Sequence, residues 1–337
     1  MDARLRRPAL AGLVALVAGG ALGVSTPAAA TPPHHHDPDG LIVFSAATAA
    51  GDRQLFTLRP DGTDLTQITH GAGDPTNADW SADGRHLVFS LDDGTSTRTA
   101  IVRPDGSDLR VLPQPPGVTD NQPSFSPDGR RIYFEREDLT THDDAIWSMK
   151  ADGTDQRRVV GPFPDGFVTD PNISPDGRTL IFQGWDGTVL GPPPNLEPAR
   201  GLFMYDLRSG RTTQIRPFTA DETIKASWAP DGRRIAVTEN ANHYVADDSA
   251  NIVTVRPDGS GVRQVTAFHD PEVNAFLGSY SPDGRWLVFR MEDHGLFGLY
   301  RVRPDGSHTE VILPLSTFRP ALIDWGVDAG RDGHGDH

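Results

Sequence analysis

The 337-residue chain contains no cysteine, which excludes disulfide frameworks, thiol nucleophiles, thiolate metal sites and iron–sulfur clusters. Lysine is almost absent: only Lys150 and Lys225 occur, and arginine supplies the remaining fixed positive charge. That charge is in deficit, with 31 Lys and Arg against 46 Asp and Glu and a formal net charge of −15. Tracking nucleic-acid phosphates or an anionic membrane surface needs the opposite balance, so neither is expected as a partner. Catalytic signatures are missing as well. There is no Gly-x-Ser-x-Gly elbow, no His-Glu-x-x-His pair, no phosphate-binding loop and no dinucleotide fingerprint. Beyond the N-terminal segment no stretch keeps a helical period.

The N-terminal segment itself has a readable purpose. Arg4, Arg6 and Arg7 precede an apolar run from Leu10 to Val24, and Ala28 and Ala30 form a small-residue cleavage site before Thr31. Residues 1–30 therefore read as a secretory signal peptide. The mature protein is expected outside the cytoplasm, secreted or in the periplasm or envelope, with no membrane span after cleavage. Residues 31–39, which include His34, His35 and His36, and the Gly/Asp/His-rich 328–337 read as disordered ends. That leaves 40–327 to fold around an apolar core without covalent help.

What the chain has in abundance is turn chemistry, with 35 glycines and 29 prolines, and it is periodic. One element is Ser126-Pro127-Asp128-Gly129-Arg130 followed by Ile132 and Phe134. It recurs as Ser174 to Arg178, Ala229 to Arg233, Ser281 to Arg285 and, degenerately, Ser81 to Arg85. A second element, Arg-Pro-Asp-Gly-Ser/Thr, occupies Arg59 to Thr63, Arg103 to Ser107, Arg256 to Ser260 and Arg303 to Ser307. Weaker copies lie at Ala151-Asp152-Gly153 and Arg208-Ser209-Gly210. Proline presets the first turn position and glycine takes a left-handed one, which closes a strand pair. Flanking residues alternate with period two, as in Leu180-Ile181-Phe182 and Leu299-Tyr300-Arg301-Val302. Each repeat thus reads as four antiparallel strands, a to d, whose faces only neighbouring repeats can cover.

Six anchors precede the a–b turn: Trp80, Phe125, Ile173, Trp228, Tyr280 and Trp325. Ile323-Asp324-Trp325-Gly326 matches Ala78-Asp79-Trp80-Ser81 but has no b, c or d strand after it, while the folded region opens on a b strand, Leu41 to Phe44. The expected fold is all-β, a six-bladed β-propeller of four-stranded blades, its ring closed by the C-terminal strand completing the first blade. The repeats resemble the WD40-like propeller repeats of the TolB family, shared with propellers of tricorn-type and prolyl-peptidase-type proteases. The resemblance covers roughly residues 40–327, with no room for the α/β domain that precedes the propeller in TolB. It implies the fold, and a function only by analogy.

Strand order sends both Asp-Gly turns to one end of each blade, the lower rim, and the b–c loops and d–a connections to the upper rim. The upper loops vary in length and carry nearly all of the net negative charge, so an acidic upper face is where binding is expected. Nine residues just before the a strands are assigned to its channel mouth: Asn77, Asp79, Asp120, Asn121, Asp170, Asn172, Lys225, Asn274 and Arg319. Glu239, His243 and Tyr244 join them from the blade-5 loop. Glu135, Glu137, Asp138, His142, Asp143 and Asp144 enrich the blade-3 loop, and Glu292, Asp293 and His294 the blade-6 loop. A ring of carboxylates and amides suits Ca²⁺. His142, His243 and His294 with Glu239 form a candidate transition-metal set, against which stands their lack of tight ligand spacing. In blade 4, Gly184 to Arg200 reads as a long loop containing Trp185 and Pro192-Pro193-Pro194. Two functions are carried forward. One is an exported, monomeric, non-enzymatic scaffold that needs no cofactor and binds a basic protein or peptide, or a small ligand, at the acidic face. The alternative is a metal-dependent lyase or hydrolase acting on an extracellular polymer at the channel mouth.

Overall fold

The computed structural model describes residues 40–161, 166–190, 198–216, 223–239 and 249–329. The segments expected as signal peptide and leader, most of 328–337, His243, Tyr244 and the Pro192–Pro194 run lie outside the described residues. Side chains of 185–200, Trp185 among them, also lie outside. Among the described residues no helix is long and apolar enough to cross a membrane.

The described strands form six four-stranded antiparallel sheets. Blade 1 combines β1 (Leu41–Ala47), β2 (Arg53–Leu58) and β3 (Thr66–Gln67) with the last strand of the chain, β24 (Ala321–Gly326). Blade 2 is β4 (Asp74–Trp80), β5 (Leu87–Asp92), β6 (Thr97–Val102) and β7 (Arg110–Val111). Blade 3 is β8 (Val118–Phe125), β9 (Arg131–Asp138), β10 (Asp144–Lys150) and β11 (Arg157–Val160). In blade 4, β12 (Gly166–Ile173) is followed by β13 (Thr179–Leu190), β14 (Pro198–Asp206) and β15 (Thr212–Arg216). Blade 5 is β16 (Thr223–Trp228), β17 (Ile235–Glu239), β18 (Asn251–Val255) and β19 (Arg263–Gln264). Blade 6 is β20 (Val273–Tyr280), β21 (Leu287–Asp293), β22 (Leu296–Val302) and β23 (Glu310–Ser316). The blade-4 segment expected as a loop is therefore mostly a long hairpin, because β13 and β14 stay paired from Thr179 with Asp206 to Leu190 with Pro198.

The ring closes as the repeat pattern predicts. β24 pairs antiparallel with β1, Leu41 opposite Gly326 and Ile42 opposite Trp325. Apolar residues on facing blades then fuse across the seam. Ile42, Phe44 and Leu58 pack with Trp286, Val288, Leu299, Ile312 and Trp325 in one buried cluster.

The turn motifs do more than reverse the chain. In the Ser-Pro-Asp-Gly turns the aspartate accepts bonds from the serine hydroxyl and the arginine amide, as Asp128 does from Ser126 (2.7 Å) and Arg130 (3.1 Å). Those bonds favour the ionised carboxylate and hold Asp83, Asp128 and Asp176 below the usual range. Glycine in the second motif answers two demands. Gly62 has φ +83°, and a Cβ there would stand 2.3 Å from the carbonyl oxygen of Ile312 in the preceding blade. No other residue meets both.

On its other side the closing strand meets blade 2 closely, for a Cβ at Gly326 would fall 2.2 Å from the ring of Trp80. Gly326→Ala is expected to cost about 1–3 kcal/mol by overpacking. Gly71→Ala, which meets nothing within 4 Å, should change stability by less than about 0.5 kcal/mol. Urea unfolding of the two variants checks the difference, and equal midpoints would refute this account of the contact between blades 1 and 2.

Candidate functional site on the propeller axis and upper face

The six inner strands, β24, β4, β8, β12, β16 and β20, line the axis, and each departs from regular pairing three residues before its anchor. Asn77, Gln122, Asp170, Lys225 and Leu322 occupy that position with φ between +45° and +55°, and pairing registers shift around each of them. A bulge with a left-handed residue re-aims the side chains beside it. Here it delivers polar groups to the axis.

One residue before each anchor, a second ring forms. The carboxylate of Asp324 accepts the Trp80 amide (3.1 Å), and that of Asp79 accepts the Phe125 amide (2.8 Å). Ser227 accepts the Tyr280 amide (3.3 Å) and Ser279 the Trp325 amide (2.9 Å). Each side chain thus satisfies the backbone of the next blade.

These two rings enclose an axial cavity of about 40 Å³ bounded by Asn77, Asp79, Gln122, Asp170, Asn172, Lys225 and Asp324. The volume suits water or a single small ion. Its one fixed cation is Lys225, whose ammonium reaches across to donate to the carbonyl of Ile323 at 2.5 Å. Burial, then repulsion from Asp324, pushes the Asp79 carboxyl well above the usual carboxylate range, while the Phe125 amide and Lys225 oppose the shift. Burial raises Asp170 too, opposed first by Lys225. Below the cavity the channel opens into a funnel of about 330 Å³ lined by Trp80, Phe125, Trp228, Tyr280, Trp325 and the turn prolines.

The upper end of blade 3 is a second concentration of charge. Glu135 is raised to about 7, by burial first and then by the charges of Asp144, Asp170 and Glu137 against a hydrogen bond to Thr169. Asp144 is raised to about 6 by burial, Glu137 and Asp143. Hydrogen-bond bookkeeping gives an independent reason for a protonated Glu135. The Gln122 side-chain oxygen accepts the Asp170 amide at 2.7 Å and also the Thr169 hydroxyl. That hydroxyl has one proton, so its contact with the Glu135 carboxyl is satisfied only when the carboxyl donates.

The residues singled out in the sequence fare differently. Asp79, Asp170, Asn172 and Lys225 border the axial cavity, but from within the inner strands rather than ahead of them, since those strands begin earlier than the alternation suggests. Asp120 turns into the blade, where Arg136 grips it through Nε (2.6 Å) and Nη2 (2.8 Å). Asn121 stands in β8 opposite Glu135. Asn274 is buried and accepts the Ala250 amide at 2.7 Å. Glu239 closes β17 in an ion pair with Arg216. Arg319 lies over the Phe297 ring. Glu135, Glu137 and Asp138 belong to β9 and Asp144 to β10, so the blade-3 loop is shorter than expected. Asp324 and Gln122 were missed. Asp324 was legible, because it aligns with Asp79 in the very match that identified the closing strand.

Of the metal set, His243 lies outside the described residues, and His142 and His294 stand apart. His142 contacts Glu137 (3.0 Å) in blade 3. His294 contacts Asp293 (2.6 Å) and Glu272 (3.1 Å) in blade 6, half a ring away. Among the described residues no group of three or more His, Asp or Glu is arranged to hold a metal ion.

Comparison with known proteins accords with this architecture. The TolB beta propeller domain model matches residues 24–175. The solved TolB of Acinetobacter baumannii superimposes with a TM-score of 0.68 over 87% of this chain and 68% of that one, at 16% identity. The chain is a TolB-like propeller. An uncharacterised protein of Agrobacterium fabrum is 24% identical over 60% of the chain and 68% of its own length. A TolB homologue of Chlorobium luteolum is 26% identical over 65% of the chain, which spans only 45% of that relative. The TolB-like fold also underlies more distant structures, such as an oligogalacturonate lyase of Vibrio parahaemolyticus (TM-score 0.55, 13% identity, 82% of this chain and 74% of that one).

Two outcomes test the electrostatics. Lys225→Met removes the cavity's ammonium and should cost about 3–5 kcal/mol at pH 8. The cost should shrink toward pH 4, as the axial carboxyls protonate. A pH-independent loss in urea titrations would refute the charge argument. At Glu135 the folded value lies above the unfolded one, so its contribution is complete at low pH and is lost as pH rises through about 7. Glu135→Gln, whose amide can still donate to Thr169, should flatten a decline of roughly 1 kcal/mol between pH 6 and 8. An unchanged pH profile would argue against a protonated Glu135.

Proposed function

We propose that this TolB-like propeller is an exported binding scaffold that takes a protein or peptide partner of basic character on the upper end of blades 3 and 4. One observation carries the reading. Glu135, Glu137, Asp143 and Asp144 crowd one end of blade 3, and the side chains in contact are the Arg158 guanidinium on Asp143 (3.1 Å) and the exposed His142 imidazole on Glu137. Carboxylates raised by burial and by one another are stabilised by any cation that arrives. A partner bearing Lys or Arg supplies one, and the surrounding field steers its approach. Export is supported by the signal-like residues 1–30. Partner binding is supported by relatives whose names include a TolB of a Tol-Pal system, 34% identical over 26% of this chain and 17% of its own length. The lyase reading rests on fold likeness, and the positions of His142 and His294 give it no assembled metal site.

A Lys/Gly octapeptide with blocked termini is a suitable probe for calorimetry at low salt. Binding should tighten as pH rises from 5.5 to 8, because Asp144 and Glu135 gain charge through about 6 and 7. It should weaken about tenfold or more in Glu137→Gln/Asp144→Asn, and with added salt. Equal affinity in that variant, or no pH dependence, would overturn the assignment of the acidic sector.

A further inference from the structure

The upper end of the seam between blades 6 and 1 has the opposite character. Trp286, just before β21, and Val288 within it face blade 1 in the seam cluster, and alternation puts Arg290 on the same face, one step higher. Its side chain is only 13% exposed. The guanidinium lies 4.3 Å from the centre of the Phe276 ring. Arg319 enters from the connection between β23 and β24, beside Phe318, which packs edge-on against Phe44 and Phe56 of blade 1. The Arg319 guanidinium in turn lies 4.8 Å from the centre of the Phe297 ring.

Among the described residues neither cation has a hydrogen-bond partner. Nε of Arg290 is buried with none, and the approaching carboxylate, Glu292, stops at 3.8 Å, beyond hydrogen-bond reach. Arg319 forms neither an ion pair nor a hydrogen bond among the described residues. A buried guanidinium whose Nε–H points at nothing is costly, and a second guanidinium nearby adds repulsion. Burial, then Arg319, lowers Arg290 to about 10, which leaves it charged at neutral pH. In a chain of net charge −15, this is an unexpected place to set two positive charges against a single carboxylate.

We propose that Arg290 and Arg319 form a binding site for a carboxylate monoanion. Arg290 and Arg319 against Glu292 leave one net positive charge, which one carboxylate cancels and a doubly charged phosphate would exceed. The planar fork of a guanidinium held on an aromatic face matches a carboxylate through paired N–H bonds. The two phenyl rings fix the planes of the forks in advance, so little side-chain freedom is lost on binding. The site is independent of the acidic sector in blade 3, which lies across the ring.

The test follows the arginine Nε–Hε resonances of selectively ¹⁵N-labelled protein, with the Arg290 signal assigned by its absence in Arg290→Lys. Sodium acetate is titrated against sodium chloride at constant ionic strength. The Arg290 signal should move downfield and saturate in the millimolar range with acetate, and not with chloride. Arg319→Ala changes an exposed residue and should leave the fold intact while weakening acetate about tenfold. Phosphate at pH 8 should bind no tighter than acetate. A blocked tripeptide with a free C-terminal carboxylate, compared with its amide, distinguishes a chain terminus from a free organic acid as the source of the group. An unsaturable drift shared with chloride, undiminished binding in Arg319→Ala, or a clear preference for phosphate would each overturn the proposal.

Discussion

Everything in this propeller depends on how the backbone is satisfied at the axis. The anchors Trp80, Phe125, Tyr280 and Trp325 present their amides to the preceding blade, and a buried amide without an acceptor costs about 1–3 kcal/mol. Asp324, Asp79, Ser227 and Ser279 supply acceptors from the preceding blade. Neighbouring sheets are therefore joined at their narrow ends by directional bonds and along their faces by apolar packing. The first fixes rotation about the axis and the second fixes spacing. A chain without cysteine achieves with these bonds some of the order that a small secreted domain obtains from cross-links.

Using aspartate in that ring has an electrostatic consequence. Two of the acceptors are carboxylates with little water around them, and Asp170 is a third close by. Lys225, one of two lysines in the protein, is placed where it favours the charged forms of Asp79 and Asp170. The upper face repeats the theme of partial compensation on a larger scale. Blade 3 has acidic groups in excess of its cations, whereas the seam of blades 6 and 1 has guanidinium in excess of its carboxylates. A ligand crossing the mouth would meet opposite potentials at its two ends, which selects orientation as well as charge.

The fold was legible because its information sits in local punctuation. Asp-Gly turns set strand ends, alternation sets faces, and the orphan Ile323-Asp324-Trp325-Gly326 segment could only belong to the opening blade. The site was legible in part. Residues one and three places before the anchors were singled out, yet the bulge that orients them has no common chemistry: Asn77, Gln122, Asp170, Lys225 and Leu322 share a backbone angle and nothing else. Asp120 illustrates the complementary difficulty. It looks like its neighbours in sequence, but cross-strand register brings it to Arg136, so it is spent inside the blade. Arg290 occupies a slot whose alternation would suit an apolar residue, and only tertiary packing shows that its partner is an aromatic ring.

The splice between β1 and β24 also governs the order of assembly. Ser45 bonds to the carbonyl of Ala321 across 276 positions of sequence, so the opening blade has a missing edge until the final segment has left the ribosome. Until then Ile42 and Phe44 lack their cover, and the ring has no stable partial form that includes them. Contacts so distant in sequence slow the search for the native state, so the closing strand acts as a latch that engages only after the other blades have their sequence partners at hand.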